Sequence, residues 1–173
     1  MRTLLFYNGK TGFTKRYSDW IAEELGCEVK PYKDFANTTI NADEIIIFGS
    51  RVHAGRIEHL EKVKSKLNGK LILFAVGATP ASAEKAVNKM WSESLSESEI
   101  KSIPHFYMQG GLDYDKMGFL GRIIMKVVAN LIGNKKDKSE DETGFAQSIK
   151  GSFDISSKEY AMPLVNFVKM KNK

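Results

Sequence analysis

Two unbroken apolar runs constrain this chain more than any other feature. Ile45-Ile46-Ile47-Phe48 and Leu71-Ile72-Leu73-Phe74-Ala75-Val76 do not alternate with polar residues. Both are far shorter than the roughly 20 residues needed to cross a bilayer. A strand that is apolar on both faces must be covered on both faces, as happens in a parallel sheet between layers of helices. Small residues stop each run: Gly49-Ser50 follows the first and Gly77 the second. Leu4-Leu5-Phe6-Tyr7 reads the same way, ended by the turn signal Asn8-Gly9, as does Phe106-Tyr107-Met108 before Gly110-Gly111. Cys27 and Val29 alternate with Glu28 and Lys30, an edge-strand pattern that Pro31 stops.

Between these runs the period changes. Tyr17, Trp20, Ile21 and Leu25 make one helical face, with Gly26 placed as its C-terminal cap. Ile57, Leu60, Val63 and Leu67 mark a second helix closed by Gly69, and Ala83, Ala86, Val87 and Met90 a third. The Ser/Glu-rich segment Ser92 to Ser98 reads as a connection. Leu120, Ile123, Ile124, Val127, Val128 and Leu131 predict a further helix, most simply packed on the core, followed by a charged loop from Asn134 to Thr143. Ser156 or Ser157 can cap a last helix carrying Tyr160, Leu164, Phe167 and Val168, with Pro163 in its first turns. Strands and helices thus take turns, which defines the doubly wound α/β class: a five-stranded parallel sheet with helices on both faces. The length of 173 residues is one domain's worth, and no linker or repeat divides residues 1–173.

Composition matters chiefly for what it excludes. With 42% hydrophobic and 27% charged residues, a disordered chain is ruled out. Cys27 is the single cysteine, so no internal disulfide forms, and it reads as an inert residue on an edge strand. His53, His59 and His105 sit in no metal motif, so no metal site is expected. The N-terminal decapeptide resembles neither a signal peptide nor a membrane span, and a cytoplasmic protein is expected. Twenty-six basic against 21 acidic residues give a net charge of +5. That balance points to anionic partners: phosphate, an acidic substrate, or an anionic membrane surface reached from the cytoplasmic side, with Arg122, Lys126, Lys135, Lys136 and Lys138 as its contacts. The lysines are scattered and no nucleic-acid motif is present, so nucleic acid is not an expected partner.

In open parallel sheets, ligands bind beyond the carboxyl ends of the strands, where strand order reverses. Four segments meet that condition: Asn8 to Thr14, Gly49 to Arg56, Gly77 to Ser82, and Gly110 to Tyr114. The first joins a strand directly to a helix. Asn8-Gly9-Lys10-Thr11-Gly12-Phe13-Thr14 can aim backbone N–H groups, the Thr11 and Thr14 hydroxyls and a helix dipole at one anion, with Gly9 and Gly12 allowing close approach. In such a loop the backbone carries the phosphate, so Lys10 contributes position and not chemistry. A P-loop would need glycine at Leu4, a G-x-G-x-x-G turn is missing, and a phospho-receiver would need acids where Tyr7 and Asn8 stand. A mononucleotide phosphate loop survives, beside the plainer reading of a helix-capping turn with Thr14 as N-cap.

At these residues the sequence resembles the flavodoxin family, whose phosphate loop reads T/S-x-T-G-x-T. Gly9 to Thr14 keeps T-G-x-T and places Gly9 where the first hydroxyl is usual, with Asn8 as a substitute polar group. The resemblance extends to the branch containing menaquinone-dependent protoporphyrinogen dehydrogenase, whose second loop has a pattern like G-x-S-x-R-x-G. Gly49-Ser50-Arg51-Val52-His53-Ala54-Gly55 is similar to it, and Gly110 to Gly133 is similar to the family's last strand and helix. The resemblance implies an FMN cofactor and an oxidoreductase or electron-transfer role, with a quinone or porphyrinogen-type partner. It implies phosphate binding by residues 8–14 and ring contacts from Ser50, Arg51, Val52, His53, Ala54 and Gly55. Gly77, Ala78 and Thr79, together with Gly110, Gly111, Leu112, Asp113 and Tyr114, complete the implied frame. The family often presents an aromatic ring from the second loop; here Val52, His53 and Ala54 offer none, leaving Tyr114 or an open face. His53 reads as a polar rim residue. No side chain stands out as acid, base or nucleophile. Small flavodoxins that act as carriers are typically acidic, so the basic charge leans toward an enzyme or membrane-associated reductase. The competing expectation is a flavin-free binding or regulatory module on the same fold.

Overall fold

The computed structural model describes residues 2–67, 70–116 and 151–171. The predicted helix at 120–131, the charged loop at 134–143 and the cap at Gly69 lie outside them. Five parallel strands form the sheet: Thr3–Asn8 (β1), Glu28–Pro31 (β2), Ile45–His53 (β3), Leu71–Gly77 (β5) and His105–Gln109 (β6), in the order β2-β1-β3-β5-β6. Order reverses between β1 and β3, whose registers run from Thr3 opposite Ile45 to Asn8 opposite Ser50. That junction is the topological switch point.

Alternation along each strand divides the core in two. Leu4, Phe6, Ile46, Phe48, Leu71, Leu73 and Ala75 face one side, where Leu60, Val63, Met90 and Trp91 cover them. Leu5, Ile45, Ile47, Ile72, Phe74 and Val76 face the other, against Phe13, Tyr17 and Ile21 of helix α1 (Phe13–Leu25) and Leu164, Val165 and Val168 of α5 (Met162–Lys171). The expected doubly wound sheet, with helices on both faces, is therefore present. Gly26 closes α1 with φ +62, donating its N–H to the Ala22 carbonyl. That backbone conformation suits glycine above other residues.

Three local expectations need correction. Gly49-Ser50 does not end the third strand; it continues to His53, turns through Ala54-Gly55, and pairs antiparallel with Arg56–Ile57 (β4). Both turn residues have positive φ, +50 and +78. This is a two-residue hairpin of the type whose twist matches its strands. Ile57 accordingly belongs to β4, and the second helix shrinks to Leu60–Lys64 (α2). The segment read as a connection holds the end of α3 (Glu84–Ser94) and the start of α4 (Glu97–Ser102). A reciprocal capping box starts α4: Ser96 Oγ accepts from the Glu99 N–H, and the Glu99 carboxylate accepts from the Ser96 N–H. Ser157 caps a 3-10 turn at Lys158–Ala161, which leads into α5.

Candidate functional site

Helix α1 begins without a side-chain cap. Gly12 is its N-cap, with φ +94, and no acidic residue occupies the first turn. The plainer reading with Thr14 as cap is therefore not what forms: Thr14 lies inside the first turn and is 2% exposed. Its hydroxyl packs over Gly9, where an added Cβ would come within 2.8 Å of Thr14 Oγ1. A side chain at position 9 would displace that hydroxyl, so the residue pattern and the loop geometry have one cause. Lys15 and Arg16 place two cations in the same turn, the unfavourable sign for a helix start. Asp19 offsets Lys15 at 2.7 Å, and Asp154 pairs with Arg16.

Beside this loop, at the switch point, sits a network that sequence reasoning missed. Glu58 follows β4, and its carboxylate accepts from Arg51 through Nε at 2.7 Å and Nη2 at 2.8 Å. Asn8 Nδ2, from the end of β1, donates to the same carboxylate at 2.8 Å and to Ser50 Oγ at 3.1 Å. Ser50 is fully buried and donates to the Glu58 carbonyl at 2.8 Å. Hydrogen bonding from Arg51 and Asn8 outweighs partial burial and holds the Glu58 carboxyl at a pKa of about 2. The signal available in sequence was the spacing of Ser50-Arg51 to Glu58 across a two-residue turn, visible only once the hairpin is known.

The second and third predicted loops meet at a cavity of about 600 Å³. Val52, Ala54 and Gly55 of the hairpin form one wall; Gly77, Ala78 and Thr79 form another. Ala86, Val87, Lys89, Met90 and Glu93 of α3 and Tyr107 of β6 complete it, so charged groups stand among the apolar ones. Tyr107 donates to the Thr79 carbonyl at 2.8 Å, and burial pushes its phenol well above the usual range. Gln109 ties the frame together, accepting from the Ala81 N–H and donating to the Ile155 carbonyl. Tyr17 donates to the Gln109 carbonyl and accepts from the Ser157 N–H, and burial raises its phenol to about 12.

The remaining predicted residues fall in distinct places. Lys10 is exposed, Thr11 half-buried, and His53 an exposed strand end. Phe13 is buried and touches the fourth loop, since an added Cβ on Gly110 or Gly111 would meet its side chain. The Gly110 N–H bonds to the Gly77 carbonyl at 2.7 Å. Gly111–Leu112 forms a short strand, β7, antiparallel to Phe153–Asp154 (β8). Asp113 pairs with Lys116, and the Tyr114 N–H donates to Ser152 Oγ. Neither Asp113 nor Tyr114 lines the cavity. Among the described residues, no His/Cys/Asp/Glu cluster could hold a metal, and no helix is long and apolar enough to cross a membrane. Cys27 is half-buried, and burial raises its thiol to about 11, in keeping with an inert side chain.

A parallel sheet in this order, with helices on both faces, defines a flavodoxin-like fold. The Flavodoxin domain family matches residues 4–139, and the chain belongs to that family. Among solved structures, an archaeal flavodoxin matches with 13% identity and a TM-score of 0.36, over 86% of this chain and 94% of that one. No curated protein matches the chain.

Proposed function

We propose that the protein binds FMN and serves as an electron-transfer flavoprotein. The observation that carries this reading is the uncapped start of α1, at the point where the strand order reverses. There the backbone N–H groups of the first turn and the Thr11 and Thr14 hydroxyls suit a dianionic phosphate. The cavity between the hairpin and the loop at 77–79 has the size of a small-molecule pocket, and its lining mixes apolar side chains (Val52, Val87, Met90) with polar and charged ones (Thr79, Lys89, Glu93), a combination that suits a ring with a polar edge. FMN, when bound, supplies one- and two-electron chemistry that no side chain here would have to provide. The residues' part is to fix the phosphate, frame the ring and exclude water with Val52, Val87 and Met90.

Charge suggests the class of redox partner. With a net charge of +5, an anionic acceptor or an anionic membrane surface is the proposed counterpart, and a quinone or porphyrinogen-type substrate is the proposed small-molecule acceptor. Positive charge would also favour the anionic reduced cofactor and raise its midpoint, within the ~8–10 Å over which exposed charges act.

Visible absorption of the purified protein, before and after adding FMN, tests the reading. Bands at ~370 and ~450 nm are expected, with binding lost in the double variant Thr11→Ala/Thr14→Ala. A flat spectrum and no uptake of FMN would favour a flavin-free binding module.

A further inference from the structure

An FMN molecule presents a phosphate at one end and a ring at the other, so a protein gains from both only if the two half-sites keep one spacing. In this fold they lie on different strands. The phosphate loop leaves β1 at Asn8, and the ring-facing hairpin is the continuation of β3. Beyond the ladder, which ends at the pairing of Asn8 with Ser50, side chains must hold them together. Glu58 is placed to do so. One carboxylate oxygen takes Asn8 from β1 and Arg51 from β3, the other takes Arg51 again, and its carbonyl takes Ser50.

We propose that Glu58 is a positioning residue that locks the phosphate loop and the ring-facing hairpin in register, so that a ligand carrying both phosphate and ring is favoured over one carrying the ring alone. This rests on the FMN reading above. Glu58 reaches the loop through Asn8 and the hairpin through Arg51. Arg51, with two of its donors committed to Glu58, acts as part of this clamp and not as a phosphate ligand.

The test compares FMN with riboflavin, which has the same ring and no phosphate, by fluorescence quenching. Wild type is titrated first, then Glu58→Ala and the paired variant Arg51→Met/Glu58→Met, each checked for native circular dichroism. The paired variant leaves no uncompensated arginine and keeps apolar volume in the gap, so it serves if Glu58→Ala does not fold. In wild type FMN should bind far more tightly than riboflavin. In both variants FMN affinity should fall by ~10-fold or more while riboflavin changes little, so their ratio collapses. An equal loss for both ligands would reduce Glu58 to a wall of the ring site and overturn the proposal. So would unchanged or tighter FMN binding, the latter meaning that Glu58 only sequesters the Arg51 charge. Failure of wild type to bind FMN at all would sink the cofactor reading itself, a result visible before any variant is made.

Discussion

At the scale of single residues, Glu58 also carries a stability signature. Its carboxyl titrates near the ordinary 4.5 when unfolded and at about 2 when folded, with Arg51 as the first cause. The folded state therefore gains stability that is complete above pH 4.5 and is lost as the pH falls toward 2. Its side chain is only 22% exposed, so solvent screens the pair less than it would a surface pair. Glu58→Gln should cost about 2 kcal/mol at pH 7, and that cost should shrink as acid approaches the folded pKa. Urea denaturation of both proteins at pH 7, 5 and 3 checks this. A pH-independent difference would mean that the carboxylate contributes through packing alone. Glu58 could not be picked out beforehand, because nothing in a stretch reading Arg56-Ile57-Glu58-His59 distinguishes it from a surface acid. Its role exists only after the hairpin folds it back onto Asn8.

At the scale of elements, the strands were legible and several boundaries were not. The doubly apolar runs could be buried only one way, so the sheet followed from them, and Gly12 marked the glycine-capped turn that opens α1. The hairpin is not legible in the sequence because Ala54-Gly55 is a poor version of its turn: alanine in the left-handed region at φ +50 is disfavoured where asparagine is at ease. That weakness is correctable. Ala54→Asn should stabilise the protein by about 0.5 kcal/mol and raise its melting temperature, as differential scanning calorimetry would show; a lower melting temperature would mean that the turn is not of this type. Helix α4 carries the capping pattern Ser96-x-x-Glu99, but a six-residue helix has too few turns to display an apolar period, so the sequence does not mark it as a helix. For α2 the apolar period misleads in the opposite direction. Ile57 falls on the helical spacing by coincidence, while its backbone pairs with Val52.

At the scale of the whole molecule, charge should govern traffic with partners. Reduced protein should pass electrons to ferricyanide, a small anionic acceptor, several-fold more slowly as ionic strength rises from 0.01 to 0.15 M, where the screening length drops from about 30 Å to about 8 Å. Stopped-flow mixing at the two salt concentrations measures it, and a rate indifferent to salt removes the case for an anionic counterpart. The returning segment at 151–171 bears on a different matter, the order in which the chain is made. Helix α1 opens at the loop 8–14, yet its buried face meets Leu164, Val165 and Val168, and Tyr17 accepts a hydrogen bond from the N–H of Ser157, 140 residues later. During synthesis, then, the loop at 8–14 leaves the ribosome long before the segment at 151–171 and waits on a half-built floor. Capture of the proposed FMN should therefore wait until Ser157 and α5 have been made, and a stalled chain ending before Ser157 should remain colourless.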